Sequence, residues 1–304
     1  MTPESLLIYY GYPGLINGSQ ELDQAIGHFR GYRWIVLGDG LQRMDHPQHR
    51  LTQELIAAFP DTEFFGYIDL GVYSAHTQVQ NLSLEEIGQR AKAWKNLGAR
   101  GVLLDDYGYD FANTRSRQNE AVQRLHDLGL ACAANSWDPR HALCASPAPG
   151  NTKGKSTALG PGDFYLYESY LWQEGQFSTY KVWRAKTNTL QPLLKQSKVK
   201  VWAVTTAGPQ DSFCSQAWQF LAQCAWLDGW SGLGWGEPHF SALDNLAPKR
   251  ELPTFFGVAQ GSHYVLGETR LGRSCSAGEV VLDFPQKAVQ LSPRQPFWKK
   301  WLRR

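Results

Sequence analysis

Eight short apolar runs recur along this chain, most of them followed by a segment with helical spacing, and that alternation constrains the fold more than any single residue does. The runs are Leu6 to Tyr12, Trp34 to Leu37, Phe64 to Leu70, Gly101 to Asp106, Leu130 to Asn135, Phe164 to Glu168, Val199 to Thr205 and Trp230 to Gly234. Helical patterns lie between them at Glu21 to Phe29, His49 to Phe59, Leu84 to Leu97, Arg115 to Leu128, Ser178 to Lys195 and Ser212 to Leu227. The third has clear boundaries, with Ser83 as N-cap, Glu86 three residues on and Gly98 just past the end. Eight βα units over roughly 240 residues predict a (β/α)8 TIM-type barrel.

Two stretches depart from the pattern. Arg140 to Gly162 is rich in Pro, Gly, Ser and Thr and reads as a long loop after the fifth strand, expected to hang over the barrel mouth as a mobile lid or else to be a disordered spacer. After Pro238 the period changes to two, in Phe255 to Val258, His263 to Leu266 and Glu279 to Phe284. The expected organisation is a barrel over residues 1–238 and a small antiparallel β appendage over 239–304.

Polar residues at the strand ends turn the fold into a candidate site. A core strand has no packing use for Asp at its tip, and Gly101-Val102-Leu103-Leu104 runs straight into Asp105 and Asp106. Adjacent strand residues point to opposite faces, so one of the two can face the cleft while the other finds a partner. The remaining strands end in Tyr10 and Tyr12, Asp39, Asp69 with Tyr67 before it, Asn135 followed by Trp137 and Asp138, Glu168, and Trp235 with Glu237. Six of eight strands thus deliver a carboxylate to the carboxyl-terminal face, where barrels carry catalytic groups. Mutually repelling carboxylates cost stability unless used or paired. Each also has a plainer reading: Asp39 between glycines as a turn, Asp69 as a loop cap, Asp138 before proline as a helix cap, Glu237 as a loop anchor. Tyr10, Tyr12, Tyr67, Trp137, Trp172 and Trp235 near these ends could stack on sugar rings, whose C–H faces are apolar and whose hydroxyls need polar partners; the plainer reading is core packing.

Composition narrows the alternatives. With 42% hydrophobic and 19% charged residues the chain can bury a large core, and a formal net charge of +2 gives no electrostatic reason to expect a nucleic-acid partner. The basic residues interleaved with Trp298 and Trp301 read as a solvated end in preference to a membrane-surface tail. Five cysteines without a C-x-x-C pair suit a reducing compartment, and no His-rich spacing offers a zinc site. A hard-cation site on Asp39, Asp69, Asp105 and Asp106 is the metal-based alternative; the preferred reading has no metal and no cofactor. No stretch is long and apolar enough to span a bilayer, and the start lacks the charged and apolar regions of a signal peptide. The expectation is a cytoplasmic protein, with an extracellular or virion-associated destination open only by another route.

Leu7-Ile8-Tyr9-Tyr10-Gly11-Tyr12-Pro13, Gly66-Tyr67-Ile68-Asp69, the Gly101 to Asp106 strand and Tyr165-Leu166-Tyr167-Glu168-Ser169 together resemble the spherulin-4 and endo-α-1,4-polygalactosaminidase group of glycosidase-like barrels. The resemblance covers the barrel and not the appendage. It implies cleavage of an amino-sugar-containing polysaccharide by a carboxylate at the end of strand four, Asp105 or Asp106, together with Glu168. Asp106 stands where spherulin-like members often have Glu. In the preferred assignment Asp105 is nucleophile or base, Glu168 is general acid, and Asp106 balances local charge. The alternative from another class is a carbohydrate-binding or phage-tail-like structural barrel without catalysis.

Overall fold

The computed structural model describes residues 2–38, 40–73, 80–209 and 212–293. Strands β1 (Glu4–Tyr9), β2 (Trp34–Leu37), β3 (Glu63–Asp69), β4 (Gly101–Asp105), β5 (Ala131–Asn135) and β6 (Phe164–Tyr167) are followed by a short hairpin, β7 (Trp172–Gln173) and β8 (Gln176–Phe177). Then come β9 (Lys200–Val204) and β10 (Gly232–Gly234). The eight long-range strands close into a parallel barrel in the order β1-β10-β9-β6-β5-β4-β3-β2. Every expected run supplies one of these strands, so the chain is a (β/α)8 barrel. The helices are α1 (Leu22–Phe29), α2 (His49–Ala58), α3 (Leu84–Leu97), α4 (Arg115–Asp127), α5 (Pro139–Leu143), α6 (Tyr180–Ser197) and α7 (Ser215–Asp228). The Ser83–Glu86 capping box forms as the sequence indicates.

Period-two alternation sorts each strand into a lumen face and a helix face. Leu6, Ile8, Trp34, Val36, Phe65, Leu103, Ala133, Phe164, Leu166, Trp202 and Val204 fill the lumen as one cluster. The Phe164 and Trp202 rings stack at 4.2 Å, and Phe65 meets Trp202 edge-on at 4.7 Å. Small residues make room for this plug. A Cβ on Gly101 would lie 2.1 Å from the Phe65 ring, and one on Gly232 would lie 2.6 Å from Trp202. The plug closes the barrel from below, so the lumen is open to ligands only at the carboxyl-terminal mouth.

Two units are incomplete. After the five-residue α5 the chain runs along the outside of α4, where Asn119 donates to the Ser156 carbonyl at 2.8 Å and accepts from the Ala158 N–H at 2.9 Å. The segment expected as a lid therefore lies along the barrel wall and not over the mouth. Hydrogen bonds to α4 and burial of Leu159 hold it, and none of its residues lines the mouth cavity.

After β10 no eighth helix forms among the described residues. After a turn at residues 242–245, where Asn245 is left-handed, residues 246–255 run without helix or strand past β1 and α7, where such a helix would lie. At the top Asn17 pairs with Ala247, and the Asn17 N–H donates to Asn245. Lower down, the indole of Trp218 donates to the Glu251 carbonyl at 2.8 Å.

The chain then forms an antiparallel sheet, β11 (Ala259–Val265), β12 (Arg270–Cys275), β13 (Gly278–Asp283) and β14 (Ala288–Pro293), in that spatial order. Phe255 to Val258, expected as a strand, is only an approach to β11; β12 lacks the alternation that would have marked it, and β14 alternates only over Val289 to Ser292. The sheet packs on α6 and α7. Phe284 stacks on Trp183 at 5.4 Å, and Arg273 donates to the carbonyls of Trp226 and Leu227, which the end of α7 leaves open.

Candidate active site

The lumen-facing parity continues past the apolar plug into a polar layer. On β3 it passes from Phe65 to Tyr67 and Asp69, and on β4 from Gly101 and Leu103 to Asp105. On β5 it ends at Asn135, and after β6 at Glu168. Residue parity therefore separates the two adjacent carboxylates. Asp105 is the last residue of β4 and shares the lumen face. Asp106 lies past the strand end with φ +48°, a left-handed conformation uncommon for a residue with a side chain. Asn113 donates to the Asp106 carbonyl at 2.6 Å and holds that turn.

Asn135 links the other two acids. Its Nδ2 donates to Asp105 Oδ1 and to Glu168 Oε2, each at 2.8 Å. Because the two hydrogens of one amide group diverge by about 120°, these carboxyl oxygens lie roughly 5 Å apart. Tyr67 Oη donates to the second Asp105 oxygen at 3.0 Å, so both oxygens of that carboxylate are oriented by donors.

The Glu168 carboxyl is held above its ordinary range by burial and then by the neighbouring Asp105 charge, while the Asn135 hydrogen bond and Lys186 act in the opposite direction. Burial, followed by Asp105, Asp69, Asp110 and Glu168, pushes Asp106 up to about 7. Two carboxyl groups at this spacing, one oriented by donors and one inclined to keep its proton, can act as nucleophile and acid in a double displacement.

A cavity of about 550 Å³ opens above the pair, lined by Tyr10, Tyr67, Asp105, Glu168, Glu174, Thr206, Glu237, His239 and Phe240 among others. Tyr10 stands edge-on between Tyr67 at 5.2 Å and Phe240 at 5.4 Å. Glu237 accepts two bonds from Arg250, the shorter 2.7 Å, and anchors the chain after β10 while its side chain borders the cavity.

Tyr10, Tyr67, Asp105, Asn135, Glu168 and Glu237 thus converge, and the remaining candidates do not. Asp69 accepts from the Gly71 N–H at 2.8 Å and shapes its own turn. Its oxygen and both oxygens of Asp105 serve N–H and O–H donors rather than a cation, and the described residues hold no His, Cys, Asp or Glu group suited to a metal. Asp39 lies outside the described residues. Tyr12 and Trp137 are exposed at the mouth, Tyr12 edge-on to His46 at 5.5 Å. Trp172 and Trp235 are buried against each other at 5.9 Å, and Trp235 packs on Phe213 and Trp218; their rings belong to the core between barrel and α7. Asp138 caps α5 through the Arg140 N–H at 2.9 Å.

Sequence reasoning missed Glu174, Thr206 and Lys186. Glu174 sits in the β7–β8 turn, bound through its N–H to the Thr206 carbonyl at 3.0 Å, and nothing in the sequence marked a hairpin there. Lys186 lies on α6, where a lysine reads as solvent-facing, yet its ammonium rests 4.4 Å from the centre of the Tyr167 ring.

No protein-family model matches the chain, and no curated protein matches it by sequence. Solved structures do resemble it. An α-galactosidase from Mortierella vinacea superposes with a TM-score of 0.53 at 10% identity, covering 93% of this chain and 81% of its own. The endoglucanase Cel5A of Pseudomonas stutzeri gives 0.48 at 14% identity, covering 82% and 90%. Ega3 of Aspergillus fumigatus, solved as a complex with galactosamine, gives 0.42 at 12% identity, covering 73% and 85%. At such identities the likeness to the α-galactosidase is one of fold alone, so the case for an activity rests on the side chains of the mouth.

Proposed function

We propose that this chain is a glycoside hydrolase that cleaves an amino-sugar-containing polysaccharide, with Asp105 as nucleophile and Glu168 as acid and then base. The observation that carries the reading is the pair of 2.8 Å hydrogen bonds from one Asn135 amide to both carboxyl groups. The resulting separation of roughly 5 Å suits retention of anomeric configuration, since inversion needs about 6.5–9.5 Å to admit a water.

In the first step Glu168 gives its proton to the glycosidic oxygen as the bond to the anomeric carbon breaks, and Asp105 forms an ester with that carbon. In the second, Glu168 takes a proton from water, whose oxygen replaces Asp105. Tyr67 and Asn135 keep Asp105 aimed throughout.

The substrate class follows from charge. Asp105 and Glu174 border the cavity together with Glu168, which holds the proton, and Glu237, which Arg250 engages; the two remaining carboxylates leave a negative surface suited to an ammonium-bearing sugar. Tyr10 and Phe240 supply apolar faces for the ring.

The test is to incubate the protein with galactosamine and glucosamine polymers and their N-acetylated counterparts, measuring new reducing ends and the anomer first formed by NMR. Release from the amine-bearing polymers with retained configuration is expected. Binding without release from any polymer would instead support the non-catalytic barrel.

A further inference from the structure

Lys186 is a cation beside the strand ends that carry the site. It sits on the second turn of α6 beside buried Trp183, Arg184 and Thr187, which fix that stretch of helix against the barrel. Its Nζ lies 4.4 Å from the Tyr167 ring centre and 5.9 Å from that of Trp137. Tyr167 immediately precedes Glu168, and Trp137 follows Asn135 by two positions, so the rings that hold the ammonium belong to the strand ends that carry the acid and its amide partner. Among the described residues no carboxylate comes within 4.0 Å of this nitrogen. Cation–π contact offsets part of the cost of half-burying the ammonium without cancelling its charge.

We propose that Lys186 is a positioning residue for the carboxylate pair, holding an ammonium against Tyr167 and Trp137 so that its field sets how readily Glu168 gives up and regains its proton. The proposal rests on Glu168 being the acid of the hydrolase. A direct ion pair would trap Glu168 as a carboxylate, useless for donating to a leaving group. An ammonium standing off from it lowers its proton affinity without consuming it, and counters the raising effect of Asp105.

The charges around Lys186 are consistent with this role. Asp105 and Asp106 lie at the end of β4. Asp138, at the start of α5, is engaged by Arg140. Arg184, the neighbouring cation of α6, is committed to Asp228 at 2.9 Å. Burial brings Lys186 itself down to about 8, with Glu168 and Asp138 opposing that fall, so it remains largely charged at neutral pH.

The experiment is a carbon-13 NMR titration of the Glu carboxyl groups in the wild type, Lys186→Met and Lys186→Arg, with the Glu168 signal identified by its loss in Glu168→Gln. Loss of the positive charge in Lys186→Met should raise the Glu168 midpoint by about one pH unit, and Lys186→Arg should restore it. The alkaline limb of any turnover should move with it. An unchanged midpoint in Lys186→Met overturns the proposal, as does an equal shift in Lys186→Arg. If the Met variant does not fold, Lys186→Gln makes the same comparison. Because the titration needs no substrate, failure to turn over any glycan would sink the hydrolase reading without deciding this one.

Discussion

Asp228 is buried and Glu168 is largely withdrawn from solvent, yet the molecule treats the two carboxyl groups in opposite ways. Asp228, at the end of α7, accepts from Arg184 at 2.9 Å, from Tyr170 at 2.9 Å and from the Trp183 indole at 3.0 Å, and Arg184 continues to Asn188 and to His263 of β11. Every desolvated charge there meets a fixed partner. Glu168 accepts one amide hydrogen, and its nearest cation stays out of pairing distance. The contrast teaches where to look for chemistry: burial with full compensation fastens the helices to the appended sheet, while burial with deliberate under-compensation leaves a proton available to move.

Breaking each carboxylate in turn tests that contrast. Glu168→Gln and Asp105→Asn, close in shape to the originals, should each lower kcat by at least on the order of 10² while the thermal midpoint stays level or rises. More than a tenth of wild-type turnover in both variants would remove them from the mechanism.

Asp228→Ala should do the reverse. It strands Arg184 and two aromatic donors, costing about 3–5 kcal/mol in chemical denaturation, with turnover per folded molecule unchanged. A loss below about 1 kcal/mol, the scale of an exposed pair, would mean the network is not the clasp it resembles.

Asp106 sharpens the comparison on a smaller scale. Its carboxyl stands at about 7 against 3.8 for the free group, so the folded chain binds that proton more tightly than the unfolded chain does. The associated stability is present below about pH 4 and disappears as pH rises through 7. Asp106→Asn should therefore add about 1 kcal/mol at pH 8 and almost nothing at pH 4, the modest figure reflecting a half-exposed side chain screened by solvent. Equal effects at both pH values would remove charge as the cause.

Much of this was written in the local pattern, and the limits have physical causes. The barrel was legible because strands buried on both faces must be continuously apolar, and parity from Gly101 through Leu103 already distinguishes Asp105 from Asp106 once the lumen face is known. Trp172 and Trp235 were not legible as core, because an indole beside a strand end serves a sugar or a neighbouring indole with the same atoms. Lys186 was invisible because its contacts depend on the rings of Trp137, just past β5, and Tyr167 on β6, which the fold and not the local pattern brings to it. The strand Arg270–Cys275 escaped notice because consecutive Leu271 and Gly272 are both buried and break the alternation.

The segment that replaces the eighth helix also bears on how the molecule comes together. Strand β1 meets β10 only through Glu4 with Gly232 and Ser5 with Leu233, a brief seam between parts of the chain more than two hundred residues apart. Such a closure carries a large loop entropy and gains little until something covers it. Residues 246–255 lie along that join, tying Asn17 beside β1 to Trp218 on α7. The first seven barrel strands are neighbours in both chain and space, so the β1–β10 seam joins the two ends of that series, and the segment over it does for the ring what a helix does for each of the other seams.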